Sequence, residues 1–463
     1  MLDFAGKNVV VMGLGRFGGG VGVSRWLAGQ GARVMVTDQS PAATLQGAMA
    51  QLADLPIEYQ LGSHDPAVLE KCDLLVVNPA VDKTRSEFFQ RALRLKITLT
   101  TEMNIFVQRC PAKIIGITGT VGKSTTTAMI HHLLSAALQN SHEHPPRRDR
   151  RRCWMGGNIG RSLLGELREI KAEDLVVLEL SSFMLENTPW VQFSPHVAVV
   201  TNLRANHLDR YGSLPSYAAA KQNILRFQRP GDFAILNDED DVIRSWSALT
   251  PADVSFYSTA GLPPLDLAVP GRHNQSNARA ALAVLGALRL AGEPGESLAA
   301  LGRFTGLPHR LELVHTSRPA PGRDVRWFND SKATTPEAAM VALAAFPTRS
   351  FVMIVGGYDK HADMTEFTRQ LAATAGGVLG IGATGKALVA GVNNTGLSPA
   401  NRCAYVDTLE NAIAAARQWI SPNAAGEPEL TAVVLSPGCA SYGQFVNYEE
   451  RGERFAALAR ATP

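Results

Sequence analysis

The chain has 463 residues, enough for about three domains of ordinary size, and its 45% apolar and 19% charged residues are typical of a globular protein. A formal net charge of +3 gives no general reason to expect binding to nucleic acid or to a membrane surface. Five cysteines without a CxxC pair argue against a disulfide framework or a thiolate zinc site, and the lack of a signal pattern or a long apolar run predicts a soluble cytoplasmic protein.

The first predicted elements are a strand, a glycine-rich loop, a helix and a second strand, between Val9 and Asp38. Gly13, Gly15 and Gly18 form the pattern GxGxxG, and Asp38 follows 20 residues after the third glycine. This is the dinucleotide-binding fingerprint, in which glycines let the backbone approach a diphosphate at the start of a helix. Taken alone, the segment predicts a nicotinamide-dependent oxidoreductase.

A second glycine loop lies between a predicted strand, KIIGITG, and a helix with apolar residues at helical spacing. Its sequence, GTVGKST from Gly119 to Thr125, lacks the first glycine of the strict GxxxxGK[ST] pattern, because Ile117 occupies that position. Backbone N–H groups and the helix N-terminus would still face phosphate oxygens. Lys123 would reach the terminal phosphates and Ser124 would bind magnesium, so the segment predicts a nucleoside triphosphate site.

Polar side chains follow two predicted buried strands. Glu179 ends the run DLVVLE, and His207 and Asp209 lie in the loop after HVAVVTN. Because ligand sites in open α/β sheets lie at the carboxyl ends of strands, these groups are candidates for magnesium and phosphate chemistry beside the second glycine loop. Each one taken alone is also compatible with an ordinary structural carboxylate or histidine.

A third α/β segment begins near Leu307 and alternates strands such as SFVMIVGG with Ala-rich helices. We therefore predict an α/β protein of three domains: a Rossmann-like domain over residues 1–110, a central P-loop domain with a parallel sheet over 111–305, and a C-terminal Rossmann-like domain over 306–463. An oxidoreductase has no use for the second domain. Two nucleotide-type sites and a third domain suggest ATP that activates a nucleotide-bearing substrate.

One polar segment, from Asn140 to Arg152, carries two prolines and five arginines. It could bind an anionic partner such as RNA or a phospholipid surface. No aromatic residues are interleaved with the arginines, so we interpret the segment as a solvated surface loop.

Motifs in a consistent order along nearly the whole chain resemble the Mur ligase family, and within it the ligases that add D-glutamate. In chain order these motifs are GTVGKST (Gly119–Thr125), GGNIG (Gly156–Gly160), LELSSFMLE (Leu178–Glu186), NHLDRY (Asn206–Tyr211), YAAAKQNIL, GRHNQSNARAA, LPHRLE, NDSKATTPEA, GGYDK and LSPGCASYGQFVNYEERG. GKST and NHLD mark the superfamily, whereas PHR, NDSKAT and the last motif point to the D-glutamate-adding members.

The resemblance implies ATP-dependent amide formation, with the first domain binding a UDP-sugar. The alanyl carboxylate of UDP-N-acetylmuramoyl-L-alanine would attack the γ-phosphorus of ATP, and the amine of D-glutamate would then displace phosphate from the acyl phosphate. Two Mg²⁺ ions would be held by Ser124, Glu179, His207 and a carbamate on Lys221, while Lys123 neutralises phosphate charge. The protein would act as a monomer, without a nucleic acid or membrane partner.

The resemblance also assigns sets of site residues. The catalytic set is Lys123, Glu179, His207 and Lys221. The ATP-binding set is Gly119, Thr120, Gly122, Lys123, Ser124, Thr125, Asn274, Asn277, Arg310 and Asp330. The UDP-sugar set is Gly13, Leu14, Gly15, Arg16, Asp38 near the uridine, and Asn158 at the muramoyl-alanyl part. The D-glutamate set is Thr334, Lys360, Ser441 and the backbone at Tyr448.

Some positions depart from the family pattern. Val121 replaces the usual Asn or Lys of the phosphate loop, Asn206 stands where Asp is usual, and Phe17 is bulkier than the usual Ser or Thr.

The main alternative function is that of another ligase of the superfamily that adds a different amino acid, or of a folylpolyglutamate synthetase, although the latter should lack the first domain. A nicotinamide-dependent oxidoreductase and an RNA-binding protein that uses the arginine segment are alternatives from other classes.

Overall fold

The computed structural model describes residues 3–15, 19–140, 151–160, 162–397, 402–421 and 429–462, which contain three β-sheets. The chain divides into two compact units: Met1–Pro263 with Ser276–Ser297, and Pro264–Gln275 with Leu298–Pro463. The first unit contains two of the sheets and the second unit contains the third. The three predicted α/β layers are therefore present.

The N-terminal sheet has five parallel strands: β1 (Asn8–Met12), β2 (Arg33–Asp38), β3 (Glu58–Leu61), β4 (Leu74–Val77) and β5 (Thr98–Thr100). Its helices are α1 (Gly19–Gly29), α2 (Ala42–Ala50), α3 (Glu87–Arg94) and α4 (Glu102–Arg109). The spatial order β3-β2-β1-β4-β5 changes direction between β1 and β4. Ligands of open α/β sheets bind where the order changes, and here Gly13 and Asn78 follow the two strands.

The middle sheet has six parallel strands: β6 (Lys113–Thr118), β7 (Cys153–Gly157), β8 (Leu175–Glu179), β9 (Val197–Val200), β10 (Phe233–Asn237) and β11 (Asp253–Tyr257). Helices after these strands are α5 (Lys123–Asn140), α6 (Ser182–Leu185), α7 (Leu208–Tyr211), α8 (Leu214–Arg226), α9 (Asp241–Ser245), α10 (Arg272–Ala287) and α11 (Pro294–Gly302). In the order β11-β10-β9-β6-β8-β7, the strand before the second glycine loop lies between β9 and β8. This order brings Gly119, Glu179 and Thr201 to one edge.

The third sheet has six strands: β12 (Glu312–Ala320), β13 (Arg323–Asn329), β14 (Phe351–Val355), β15 (Gly377–Ile381), β16 (Cys403–Asp407) and β17 (Ala432–Leu435). Its helices are α12 (Pro336–Leu343), α13 (Thr365–Thr374), α14 (Gly382–Asn394), α15 (Leu409–Ile420) and α16 (Tyr448–Arg460). The order is β12-β13-β17-β14-β15-β16, and only the β12–β13 hairpin is antiparallel among the described strands.

Helices cover both faces of the parallel strands, which explains the unbroken apolar runs in the sequence. Every residue of β4, β8, β9, β14 and β17 is buried. Within the first unit, one apolar cluster joins the N-terminal and middle sheets and includes Leu27, Phe106, Leu164 and Leu178. Across the described ranges, the structure contains no helix with the length and apolar character needed to cross a membrane.

Candidate active site

The second glycine loop joins the carboxyl end of β6 to the first turn of α5, as the sequence predicts. Gly119 and Gly122 have positive φ angles of 150° and 85°. A Cβ atom at Gly119 would overlap the hydroxyl of Thr201, and one at Gly122 would lie 2.8 Å from Oδ1 of Asn277. Because the loop backbone lies close to the segment after β9 and to α10, only glycine fits these two positions.

The residues that follow β9 hold this loop in place. The N–H of Val121 donates to Oδ1 of Asn202, and Nδ2 of Asn202 donates back to the carbonyl of Val121, both at 3.0 Å. The Val121 side chain is exposed, so this departure from the family pattern leaves the backbone arrangement intact. The sequence analysis missed Asn202 and Thr201. Their signal was available, because they are polar residues directly after a buried strand at the ligand-binding edge.

Lys221 lies on α8, and its side chain is buried beneath the loop. Its Nζ donates to the carbonyl oxygen of Gly119 at 2.8 Å and lies 4.7 Å from the centroid of the Tyr217 ring. Burial lowers the pKa of Lys221 to about 7, and the charge of Lys123 adds to this effect while Glu179 opposes it. The lowered pKa favours the neutral amine, which is the nucleophilic form.

Glu179 ends β8 with its side chain almost completely buried. Its Oε1 accepts a hydrogen bond from the amide of Asn158 at 2.8 Å, whereas Oε2 is buried without a hydrogen-bond partner among the described residues. A buried carboxylate oxygen without a partner is costly unless a ligand supplies one. The carboxylate therefore fits a bound cation, as the sequence predicts.

His207 immediately precedes α7 and has a left-handed φ of 52°. Its exposed ring lies 4.9 Å from the ring of Phe183, measured between centroids. Partial burial lowers the pKa of His207, opposed by Asp209 and assisted by the positive charges of Lys221 and Lys123. These effects favour the neutral imidazole, which is the metal-binding form.

The first turn of α5 carries Lys123, Ser124 and Thr125, all half-buried. Nζ of Lys123 donates to the carbonyl oxygen of Thr120 at 2.9 Å, so the lysine folds back over the glycine loop. This arrangement places the ammonium above the backbone groups that would receive a phosphate.

Within the described ranges, no three His, Cys, Asp or Glu side chains are grouped so that they could hold a metal ion. The predicted ligand set contains only two residues of these types, Glu179 and His207. A cation here would therefore need further oxygen atoms from Ser124, from a modified Lys221 and from ATP itself.

Two asparagines assigned to ATP lie on α10. Asn277 is buried in the first unit, where its Oδ1 accepts the hydroxyl of Thr126 at 3.1 Å and so connects α10 to α5. Asn274 belongs to the second unit, where its Nδ2 donates to the carbonyl of Pro270 at 2.7 Å.

The first glycine loop is held by Asp38. Its Oδ2 accepts the N–H groups of Leu14 and Gly15 at 2.9 and 3.2 Å, and its Oδ1 accepts that of Ser40 at 2.8 Å. Burial opposes ionisation, but these hydrogen bonds outweigh it and lower the pKa of Asp38. Gly13 and Gly15 both have positive φ. Asp38 thus organises the loop, while the predicted contact at Arg16 and the departure at Phe17 lie outside the described residues.

In the second unit, Asp330 follows β13 and is buried. Its Oδ2 accepts the hydroxyl of Ser436 at 2.7 Å, and its Oδ1 accepts the N–H of Leu311 at 3.2 Å. Burial raises the pKa of Asp330 to about 7, although these hydrogen bonds and the charge of Arg310 act in the opposite direction. Arg310 is exposed and lies between two residues with left-handed backbone, His309 and Leu311.

Of the residues assigned to D-glutamate, Thr334, Lys360 and Ser441 lie on loops after β13, β14 and β17 of the third sheet, and Tyr448 begins α16. Ser441 lines a cleft of about 250 Å³ with Tyr442 and Arg451. Nζ of Lys360 lies 5.8 Å from the ring centroid of Tyr442.

The other two residues of this set are linked through the NDSKAT segment. The N–H of Thr334 donates to the carbonyl of Lys332, whose ammonium lies 5.3 Å from the ring of Tyr448. Ser331 Oγ donates to the carbonyl of Tyr448 at 2.8 Å and accepts Nε of Arg451 at 2.9 Å. The sequence analysis did not single out Arg451. The available signal was that this arginine lies on the otherwise apolar, buried face of α16.

The fold has three β-sheets flanked by helices, and the middle sheet carries a phosphate loop and polar side chains at the carboxyl ends of its strands. These features define a nucleotide-dependent enzyme of the P-loop type. Three family models match the chain in order: "Mur ligase MurD-like, N-terminal domain" over residues 7–100, "Mur ligase middle domain" over 117–264, and "Mur ligase, glutamate ligase domain" over 309–437. The chain belongs to the Mur ligase family.

Curated relatives extend over the whole chain. The UDP-N-acetylmuramoylalanine–D-glutamate ligase of Roseiflexus sp. (strain RS-1) is 35% identical, covering 99% of this chain and 100% of the relative. The enzymes of the same name from Geotalea uraniireducens and Anaeromyxobacter dehalogenans are 33% and 35% identical, each covering 99% of this chain and 98% of the relative.

Solved structures agree with the fold. The chain is similar to UDP-N-acetylmuramate-alanine ligase MurC from Thermotoga maritima, with a TM-score of 0.53, 21% identity and coverage of 97% and 98% of the two chains. It is also similar to MurF ligase from Thermotoga maritima in complex with ADP, with a TM-score of 0.51, 16% identity and coverage of 85% and 90%.

Proposed function

We propose that the protein is an ATP-dependent ligase that joins D-glutamate to UDP-N-acetylmuramoyl-L-alanine. The observation that carries the proposal is the arrangement of Lys221 and Lys123 around the glycine loop, in a chain related over its full length to ligases of that name. The alanyl carboxylate attacks the γ-phosphorus of ATP and ADP leaves. The amine of D-glutamate then attacks the acyl carbon, loses a proton and displaces phosphate, which leaves an amide bond.

The difficulty of the first step is the approach of two anions, so positive charge near the γ-phosphate is needed. Lys123 supplies one such charge at the loop, and the N-terminus of α5 adds a partial charge. The N–H groups of the loop are oriented by its contacts with Asn202 and Thr201. This arrangement supports our assignment of phosphate contacts to Gly119, Thr120, Gly122, Ser124 and Thr125.

Metal ions fit the same edge of the sheet. The unpartnered Oε2 of Glu179, the neutral ring of His207 and the hydroxyl of Ser124 are suitable ligands for two Mg²⁺ ions. Magnesium bound there would offset the negative charge of the reacting phosphate and carboxylate. The amine of Lys221 would carry CO₂ as a carbamate, which replaces a buried cation by a metal-binding anion.

The other substrates are assigned to the outer sheets. The UDP part lies on the loop of Gly13, Leu14, Gly15 and Arg16 that Asp38 organises, and Asn158 receives the muramoyl-alanyl part beside Glu179. D-glutamate is held by Lys360, Thr334 and Ser441 with the backbone at Tyr448, since a lysine suits a small dicarboxylate. We also assign ATP contacts to Asn274, Asn277, Arg310 and Asp330, as the family resemblance implies.

We also propose the physical setting of the enzyme. Domain limits at 1–110, 111–305 and 306–463 enclose β1–β5, β6–β11 and β12–β17, respectively. All five cysteines are free thiols, which fits a reducing cytoplasm. We expect a monomer without a nucleic acid partner.

The decisive assay is phosphate release with each substrate omitted in turn. We expect release only when ATP, UDP-N-acetylmuramoyl-L-alanine and D-glutamate are all present. Equal turnover with L-glutamate, meso-diaminopimelate or L-lysine would contradict the D-glutamate assignment, and NADH binding without ATP use would contradict the ligase assignment.

A further inference from the structure

Arg210 lies on the short helix α7, three residues after His207, and its side chain is only 14% exposed. Its Nη1 donates to the carbonyl oxygen of Ala80 at 3.2 Å, and its Nη2 donates to that of Val81 at 2.6 Å. Both carbonyls belong to the loop that follows β4 in the N-terminal sheet. One guanidinium therefore connects the middle sheet to the N-terminal sheet within the first unit.

The same guanidinium is fixed on its other side. Nη2 lies 3.1 Å from Oε1 of Glu186, and the guanidinium lies 5.2 Å from the ring centroid of Phe183. Glu186 also accepts Nζ of Lys83 at 2.5 Å, and this lysine donates to Oδ1 of Asn187 as well. Two cations therefore share one half-buried carboxylate, and each would lose this ion pair if it moved away.

The two ends of this connection lie next to proposed substrate and metal residues. The loop after β4 begins at Asn78, whose Nδ2 lies 3.4 Å from the carbonyl of Gly13 in the first glycine loop. At the other end, the Phe183 ring under Arg210 also contacts the His207 ring. A displacement of Arg210 would therefore alter both the edge that receives the UDP-sugar and the orientation of His207.

We propose that Arg210 is a positioning residue that sets the loop after β4 against the His207 turn, so that the UDP-linked substrate is presented to the glycine loop. The inference rests on the proposed function, because it takes that substrate as the ligand. Glu186 fixes the guanidinium, and Arg210 acts through the protein groups it contacts, the loop after β4 and the Phe183 ring beside His207. Its two parallel N–H groups suit the two neighbouring carbonyls, which a lysine could serve only in part.

The test uses the full-length protein with Arg210→Ala, Arg210→Gln and Arg210→Lys, and with Arg244→Ala as a matched control. Arg244 is on α9, half-exposed, and bonded to Asp238 away from this connection. Circular dichroism and thermal unfolding establish that each variant is folded. Phosphate release then gives kcat and the KM of each substrate, and calorimetry gives the affinity for UDP-N-acetylmuramoyl-L-alanine.

We expect Arg210→Ala and Arg210→Gln to raise KM and Kd for UDP-N-acetylmuramoyl-L-alanine about tenfold or more and to lower kcat, while KM for D-glutamate stays within about twofold. Arg210→Lys should recover part of the affinity. If Arg210 has a purely structural role, the variants will have a lower thermal midpoint and a smaller active fraction, but an unchanged KM and Kd for UDP-N-acetylmuramoyl-L-alanine. That result would overturn the inference. An effect of Arg244→Ala as large as that of Arg210→Ala would also overturn it. A wild-type protein that binds the substrate without turnover would contradict the proposed function, while the affinities of the variants would still decide the role of Arg210. A wild type that does not bind the substrate would overturn both.

Discussion

The Nζ atom of Lys221 donates to the carbonyl oxygen of Gly119 at 2.8 Å, while the like charge of Lys123 disfavours the protonated amine more than the carboxylate of Glu179 favours it. A buried ammonium held by a carbonyl and repelled by a second lysine is poorly stabilised, so the amine loses its proton more readily than an exposed lysine does. With its pKa lowered to about 7, the Lys221 amine is neutral far more often near neutral pH than a lysine of ordinary pKa.

This relationship predicts that Lys221 reacts with CO₂ and that the carbamate is needed for turnover. We expect Lys221→Ala to lower kcat/KM by about 10²–10³-fold, because a ligand of the magnesium that neutralises the reacting phosphate is lost. Formate, acetate or propionate should restore part of the activity by occupying the space of the carbamate.

The measurement combines phosphate release with ¹³C NMR of protein equilibrated with ¹³C-bicarbonate. A carbamate signal is expected in the wild type and absent from Lys221→Ala, while the exposed-lysine control Lys386→Ala keeps both signal and activity. Full activity of Lys221→Ala without added carboxylate would rule out the carbamate.

A second prediction concerns Gly119, where a Cβ would overlap the Thr201 hydroxyl. Gly119→Ala should destabilise the protein by about 2 kcal/mol and weaken binding of a non-hydrolysable ATP analogue at least tenfold, because the loop backbone must shift. Differential scanning calorimetry and analogue titration measure the two effects.

Gly286→Ala is the control: Gly286 is exposed on α10 with open space around it, so alanine should stabilise the helix by about 0.5–1 kcal/mol. Unchanged analogue affinity in Gly119→Ala would show that the loop tolerates the shift.

A third prediction concerns Asp38, whose Oδ2 accepts two N–H groups of the first glycine loop. In Asp38→Asn, an amide NH₂ replaces one of the two carboxylate oxygens. The backbone N–H groups that donated to that oxygen lose their acceptor, which lowers the free energy of unfolding by about 1–3 kcal/mol. Calorimetric titration should show about tenfold weaker binding of UDP-N-acetylmuramoyl-L-alanine and unchanged binding of the ATP analogue. Asp54→Asn, at an exposed pair with Arg25, should match the wild type. If Asp38→Asn also matches it, the carboxylate is not what organises the loop.

The sequence predicted the features that depend on local pattern. Unbroken apolar runs predicted the buried parallel strands, and glycines before a periodic helix predicted the loop at Gly119 and Gly122, because both signals lie within a few residues. The pattern also placed Glu179 and His207 at the correct edge of the sheet.

What the sequence could not predict depends on pairing between distant residues. Arg210 contacts Val81 across 129 positions, and Val121 contacts Asn202 across 81, and neither residue type carries a signal of its partner. Asp38 shows a second limit: its spacing predicted a place in a dinucleotide-binding fingerprint, and the family resemblance assigned it to the uridine. Neither reveals that its oxygens are bonded to the loop amides.

The last prediction concerns the pH dependence of stability at Asp330, whose pKa burial raises to about 7. The folded protein keeps this proton between about pH 4 and 7, whereas the unfolded chain, with an ordinary aspartate pKa of about 3.9, releases it. The unfolded state therefore binds fewer protons in this window, and the stabilisation of the second unit by this group falls as pH rises, with a slope of at most about 1.4 kcal/mol per pH unit.

Asp330→Asn keeps one acceptor for the Leu311 N–H and a donor for the Ser436 hydroxyl but does not titrate. Between pH 5 and 7, thermal unfolding should show the variant gaining stability relative to the wild type as pH increases. A constant difference across this range would mean that Asp330 is already ionised in the folded protein.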